Sequence, residues 1–333
     1  MKRSNSRPAS VRALTPPPSD TEADAWRAVL AAVQAADLPQ LPAPSRVEVA
    51  GRIQVAPARG RAALWAAGDG AAGMLGVAGL LLFSDEKNRH TAFLDVLAVH
   101  PEARRQGLGT ALWDRVREAL LADGRTSVAT VVDLGGPGQA FAESLGFTQA
   151  LPMAWYVQDV TTREREGGQV PQTPGYTLLC WPGLVPDAWA AAAATAHGSM
   201  DDAPSGDTDE QTETWTAGRL HAAQQLILDR GGAITTVAAV TAQGEVAAYT
   251  ELVLPDPDGP RALQYDTVVV PAHRGRGLGR AVKLRMLAEA TARHPGLRTI
   301  ATTVADANTP MRTVNEALGY RRERGAAVFQ LTL

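Results

Sequence analysis

The chain has 333 residues, 45% of them hydrophobic and 20% charged, with a formal net charge of −3; this suits roughly two domains of ~150 residues and gives a nucleic-acid role no electrostatic support. A lone cysteine, Cys180 in the apolar run Tyr176–Trp181, excludes an intrachain disulfide and a cysteine metal cluster and reads as a buried structural thiol. No apolar run reaches the ~20 residues of a membrane span, and the basic amino terminus lacks the apolar core of a secretory signal, so a cytoplasmic protein is expected.

In chain order, residues 1–8 are polar and read as a disordered leader. A strand is expected over Ser10–Thr15, a helix over Glu22–Ala36 after a proline turn, and a short irregular helix within 38–60. Ala62–Ala67, Gly73–Phe83 and Thr91–Val99 read as consecutive strands. Leu108–Ala122 is periodic as a helix, with Leu108, Leu112, Val116 and Leu120 on one face and Gly124 as its stop. Thr126–Val132 is a strand, Pro137–Leu145 a helix and Met153–Val160 a strand. Residues 161–174, charged and rich in Gly and Pro, form the best linker candidate. The order then recurs: strand Tyr176–Trp181, a helix from Pro186, helix Thr216–Asp229, strands Ala233–Thr241, Glu245–Leu254 and Leu263–Val270, helix Leu278–Ala292, strand Arg298–Val304, helix Thr309–Leu318 and strand Val328–Leu333. The spacing therefore predicts mixed α/β domains over 9–160 and 175–333.

One nine-residue frame, Pro-x-x-Arg-x-x-Gly-x-Gly, occurs in both halves between a strand and a helix. It runs from Pro101 to Gly109 and again from Pro271 to Gly279, a displacement of 170 residues. A glycine turn that opens a helix is a nest of free amides suited to phosphate. It is neither a Walker loop, since Lys-Ser/Thr is missing, nor a dinucleotide fingerprint, since Leu112 and Val282 stand where a third glycine belongs. Gly107 and Gly277 allow the backbone a close approach, Gly109 and Gly279 keep the way clear, and Arg104, Arg105, Arg274, Arg276 and Arg280 add charge at the rim.

With the preceding Val-x-Pro or Val-Pro strand end, this frame resembles the acetyl-coenzyme A signature of the GCN5-related N-acetyltransferase (GNAT) superfamily. Each half also ends a helix in that family's Leu-Gly-aromatic landmark, Leu145-Gly146-Phe147 and Leu318-Gly319-Tyr320. The resemblance spans residue 10 to the carboxyl end and implies two tandem domains, each a mostly antiparallel, splayed central sheet flanked by helices. It implies that acetyl-coenzyme A is the acyl donor. Its pyrophosphate would lie on the amides of Arg105, Gln106, Gly107, Leu108, Gly109 and Thr110, or of Gly275, Arg276, Gly277, Leu278, Gly279 and Arg280. Its pantetheine would pair with Leu97, Ala98 and Val99, or with Thr267, Val268 and Val269, as an added strand. Asn308 is counted with the donor-binding residues of the second half; Gly135 stands in its place in the first.

Acetyl transfer to an amine requires removal of a proton from a group that titrates near ~10.4, a donor to the oxyanion, and stabilisation of the leaving thiolate. A strand amide such as that of Val269 suits the second task. Asp266 and Glu251 are the candidate bases, with Tyr265 and His273 behind them; Asp95 is the comparable residue of the first half. Where the family often has a tyrosine acid, the chain has Ala142 and Asn315, so Asn315 or a water must serve. The acidic loop from Met200 to Glu213 could attract a cationic acceptor. His197 and His221 are too isolated to suggest a metal. The expectation is an N-acetyltransferase acting on the primary amine of a small molecule by direct attack in a ternary complex, with the second half catalytic. The first half then binds coenzyme A without turnover or braces its partner. The alternative is an acyl-coenzyme A binding or sensing module. No nucleic-acid or membrane partner is expected; the oligomeric state stays open.

Overall fold

The computed structural model describes residues 10–70, 73–161 and 171–333. The expected leader, 1–8, lies outside the described residues, as does most of the expected linker, 161–174. By contacts the chain divides into two units: Met1–Ala150 with Thr208–Gln211 and Val328–Leu333, and Leu151–Asp207 with Thr212–Ala327.

The first unit contains β1 (Val11–Leu14), α1 (Asp20–Asp37), α2 (Arg46–Gln54), β2 (Gly60–Asp69), β3 (Gly73–Phe83), β4 (Ala92–Val99), α3 (Leu108–Ala122), β5 (Ser127–Asp133) and α4 (Pro137–Ser144). Ser19 and Glu22 cap α1 reciprocally, satisfying amides that have no acceptor inside the helix. The buried Ala23, Trp26 and Val29 recur at helical spacing and pack with Leu14, Leu64 and Val77. The expected irregular helix within 38–60 is regular, because Ser45 caps α2 through the amide of Glu48. The strands run in the order β1-β2-β3-β4-β5. All neighbours are antiparallel except β4 and β5, which meet in parallel at Phe93 and Ala129.

Strand β6 (Thr148–Asp159) leaves the first unit at Leu151 and lies antiparallel to β11 (Thr299–Ala305) of the second, from Met153–Ala305 to Asp159–Thr299. The remaining elements are β7 (Tyr176–Pro182), α5 (Asp187–His197), α6 (Ala217–Asp229), β8 (Ala233–Thr241), β9 (Val246–Leu254), β10 (Arg261–Val269), α7 (Leu278–Arg293), α8 (Thr309–Ala317) and β12 (Arg321–Thr332). Their sheet runs β7-β8-β9-β10-β11-β6. Strands β8 and β9 are buried on both faces and mostly apolar, as suits a sheet covered by helices on both sides. Val237 and Ala239 point to Leu278, Val282 and Met286 of α7, while Ala238 and Val240 point to Ala193 and Ala196 of α5 and Leu220 of α6.

The mixed α/β domains expected from the spacing, and the mostly antiparallel sheets that the resemblance implies, are therefore present, with β10 and β11 as the parallel pair of the second unit. Strand β12 starts at Arg321, seven residues before the apolar run that predicts it begins. Its charged opening is tolerated because Arg324 stacks over Trp155 at 4.7 Å. Its last residues, from Val328, belong to the first unit, where the amide of Leu333 donates to the carbonyl of Thr126 at 2.9 Å.

Candidate active site

Strand β10 organises the site of the second unit. It pairs with β11 only from Arg261 to Leu263, then continues alone along that edge to Val269, opening a notch between the two strands. On its other edge the register with β9 slips between Gln264 and Thr267, so that Tyr265 and Asp266 together oppose Glu251. This bulge re-aims the carboxylate of Asp266. Beyond it the amide of Val270 donates to Ala247 of β9 at 2.9 Å. Because backbone groups alternate along a strand, the amides of Thr267 and Val269 face the notch. The carbonyl of Val269 is bound by Arg274 Nε at 3.1 Å, which leaves its N–H as the free group of that residue on this edge.

The turn after β10 ends in two left-handed glycines, Gly275 (φ 76°) and Gly277 (φ 75°), and Gly277 is the N-cap of α7. No side chain caps that helix, and a Cβ built on Gly277 would meet nothing within 4 Å. The first amides of α7 are thus free of intrahelical acceptors and unobstructed, a fit for the oxygens of a diphosphate. The first unit repeats the turn. Gly107 (φ 84°) caps α3 with equally open space, but Arg105 occupies the place of Gly275 at φ 61°, and the ring of Phe141 lies 3.3 Å from the position of a Cβ on Gly109.

The rim arginines are largely committed elsewhere. Arg104 donates to the carbonyl of Val99 and grips both oxygens of Asp37 at 2.8 and 2.7 Å; Arg274 repeats this with Val269 and Asp202. These two side chains fasten the strand end to the turn. Arg276 reaches the hydroxyl of Tyr176, which bonds His273 at 2.9 Å, while Arg105 and Arg280 are exposed. Gln106 donates back to the carbonyl of Glu102, and Asn308 caps α8 through the amide of Met311. Leu97, Ala98 and Val99 occupy the same stretch of β4 as Thr267, Val268 and Val269 do of β10, and Leu108 and Thr110 open α3 as Leu278 and Arg280 open α7.

Two carboxylates meet at the bulge. Glu251 is buried and accepts from Gln224 Nε2 at 2.8 Å; burial, and then the charge of Asp266, raises its pKa to about 7. Asp266 opens one side to solvent, its side chain 38% exposed, while the atoms crowding its other sides raise its carboxyl to about 6. Tyr249, two residues before Glu251 on the same face of β9, joins them, and its hydroxyl bonds Nδ1 of His197. His197 Nε2 lies 3.7 Å from Asp266 Oδ2, and its ring packs on Trp215 with centroids 3.7 Å apart. Burial, with Arg219 nearby, lowers the His197 pKa to about 4, so the ring is neutral near pH 7.

Asn315 is fully buried on α8 and accepts from Lys283 Nζ at 2.6 Å. In the first unit Arg52 pairs with both oxygens of Asp95, and Val96 stands in the frame position of Asp266. The acidic loop is less free than its composition suggests: Asp202 pairs with Arg274, Glu210 with Arg59 and Glu213 with Arg219. His197, Trp215, Tyr249, Gln224 and Lys283 were not singled out for this site by sequence. Lys283 carried the clearest signal, a charge at a helix position whose frame-mate in the first half is the apolar Trp113. No group of three or more metal-ligating side chains occurs among the described residues, nor is any helix there long and apolar enough to cross a membrane.

A family model for the GNAT acetyltransferases matches residues 33–147 and again 201–320. The chain is 29% identical over 258 residues to a mycothiol acetyltransferase from Thermobispora bispora, covering 73% of this chain and 80% of that protein. A solved tandem GNAT protein from the clavulanic acid biosynthesis pathway superposes with a TM-score of 0.82 at 26% identity, over 97% of this chain and 98% of that one. A GCN5-related N-acetyltransferase from Sphaerobacter thermophilus shares the fold with a TM-score of 0.68 at 17% identity, over 97% and 95% of the two chains. The protein is an acyltransferase of the GNAT acetyltransferase family, built from two tandem copies of its domain.

Proposed function

We propose that the second half, 175–333, transfers the acetyl group of acetyl-coenzyme A to a primary amine of a small molecule in the cytoplasm, by direct attack in a ternary complex. The observation that carries this reading is the notch between β10 and β11, bordered at one end by the open glycine cap of α7 and at the other by the paired carboxylates of the bulge.

In this scheme the α7 amides hold the diphosphate, and the notch-facing groups of Thr267 and Val269 pair with the pantetheine arm. Asp266 accepts the proton of the attacking amine, directly or through water, while Glu251 supplies a buried acid–base group behind it. The amide of Val269 donates to the carbonyl oxygen as negative charge develops there. The first half is a brace or a silent binder, since Val96 replaces the base and Arg52 neutralises Asp95.

The test is thiol release from acetyl-coenzyme A over a panel of primary amines. Turnover with at least one amine is expected, and its loss in Gly277→Glu, which adds a side chain and a negative charge in the open cap. Saturable coenzyme A binding with no release for any amine would instead favour the sensing role. Unchanged affinity in Gly277→Glu would remove the site assignment.

A further inference from the structure

His197 is the last residue of α5 and is buried, with its ring held at two places. Trp215 packs on one face with ring centroids 3.7 Å apart, and the hydroxyl of Tyr249 meets Nδ1. The Tyr249 phenol keeps its proton, because burial and then the charges of Asp266 and Glu251 push its pKa well above the ordinary 10. Among the described residues that hydroxyl is hydrogen-bonded to Nδ1 alone, so Nδ1 is where its proton goes. Burial, then Arg219, lowers the His197 pKa to about 4, and a neutral imidazole has one donor nitrogen and one acceptor. With Nδ1 accepting, the ring proton stands on Nε2. That nitrogen lies 3.7 Å from Asp266 Oδ2. The gap exceeds a hydrogen bond, yet a small turn about the soft terminal torsion of the aspartate closes it, and contacts of this kind often tighten only when substrate binds.

The first unit shows that the fold does not demand this arrangement. Its strands β3 and β4 slip in register at Asp95, as β9 and β10 do at the bulge. There Gly79 stands in the frame position of Tyr249, and a Cβ on it would touch the side chains of Leu64, Val96 and Trp26. Apolar groups thus close over that bulge. The second unit instead buries a phenol and an imidazole, which is costly unless each polar atom finds a partner. Tyr249 and Nδ1 satisfy each other, which leaves Nε2 for the carboxylate of Asp266.

We propose that His197 is a positioning residue for the base: as a neutral donor through Nε2 it holds Asp266 Oδ2, so that Oδ1 is presented to the attacking amine, and Tyr249 fixes the ring tautomer that makes this possible. This rests on the acetyl-transfer reading. In the step, the amine proton passes to Oδ1 as the bond from nitrogen to the acyl carbon forms, and the carbon–sulfur bond breaks with its electron pair on sulfur. His197 keeps its single proton throughout. The ionisable groups about this carboxylate are Glu251 and Tyr249 of β9, His197 of α5, and Arg219 of α6, whose charge is met by Glu213. Asp202, in the turn that packs against β10, is paired with Arg274. The donor from His197 therefore favours the ionised form of Asp266, against the burial that opposes it.

Nuclear magnetic resonance of the full-length protein, labelled with heavy nitrogen in its histidine rings and free of ligand, reads the tautomer directly. The His197 signals, identified by magnetisation transfer to the Trp215 ring, should show a neutral imidazole protonated on Nε2 near pH 7. The Nε2 proton should shift with a midpoint of about 6 as Asp266 ionises, and Asp266→Asn should abolish that shift. Steady-state rates against pH read the consequence. His197→Phe keeps a ring against Trp215 and lacks the donor, so its acidic limb should move up by about one pH unit, a tenfold loss of rate below it, with the KM for acetyl-coenzyme A little changed. His197→Gln, whose amide can donate to the same oxygen, should bring the limb back toward that of the parent. Circular dichroism checks that each variant folds; if either does not, the spectra of the unmodified protein and of Asp266→Asn decide. A ring protonated on Nδ1 or charged near pH 7 overturns the proposal. So does an Nε2 proton indifferent to Asp266, or a limb that His197→Phe leaves in place or His197→Gln fails to restore. Absence of turnover with every amine would instead bring down the acetyl-transfer reading itself, while the spectra would still judge the tautomer.

Discussion

As the proposed base, Asp266 would act only when ionised, and burial raises its carboxyl to about 6. The rate should therefore climb as pH rises through 6 and then level, and Asp266→Asn should remove that limb with a loss of roughly tenfold or more in maximal rate. A normal rate in the variant would pass the role to Glu251 or water. Glu251, raised to about 7 from an ordinary 4.5, makes a separate claim on stability. The native chain holds a proton there that the unfolded chain releases above 4.5, so stability falls as pH rises from 4.5 to 7 and the penalty is complete beyond that. Glu251→Gln keeps an acceptor for Gln224 and lacks the charge. It should raise stability at pH 8 by on the order of 2–3 kcal/mol and leave pH 4 nearly unchanged, as read from thermal midpoints at the two values.

The glycine turns were the most legible elements, because only a few residue types tolerate their backbone angles. Gly277 at φ 75° needs no side chain to be explained. Arg105 shows the limit of that reading: it adopts φ 61° in the place of a glycine, so the turn, rather than the residue, is what both halves share. Arg105→Gly relieves a left-handed cost of about 1 kcal/mol and loosens the unfolded chain by a similar amount. Its melting temperature is expected to stay near that of the parent, and a large drop would show that the guanidinium itself holds the turn. The bulge in β10 was not legible, since Gln264-Tyr265-Asp266-Thr267 reads as an ordinary alternation until paired with β9. Asp266 and Glu251 were nonetheless nameable, because they are carboxylates on the strands beside the expected notch. Tyr249 and His197 did not stand out: a buried tyrosine suits any strand, and a histidine that ends an alanine-rich helix suits any cap.

For the whole molecule, the two-fold repeat and the class of fold followed from spacing alone, whereas strand membership did not. Met153–Val160 reads as a strand whichever sheet it joins, and the sheet is chosen by partners more than a hundred residues away. The same holds for Val328–Leu333, which ends the second half in sequence and packs in the first unit beside Thr126 and Gly146. Deleting Val328–Leu333 should therefore destabilise the first unit. Limited proteolysis is expected to open sites within residues 10–150 before those of 175–320. Equal protection of both regions would argue that this strand end is dispensable.

Because β6 closes the sheet of one copy and the tail of β12 the sheet of the other, neither copy is self-sufficient. A gene cut at its midpoint would yield two products, each missing a border strand. A copy with no chemistry left to perform would still be retained, since its loss would unravel the copy that works. Inheritance of such a half would then be secured by architecture rather than by turnover.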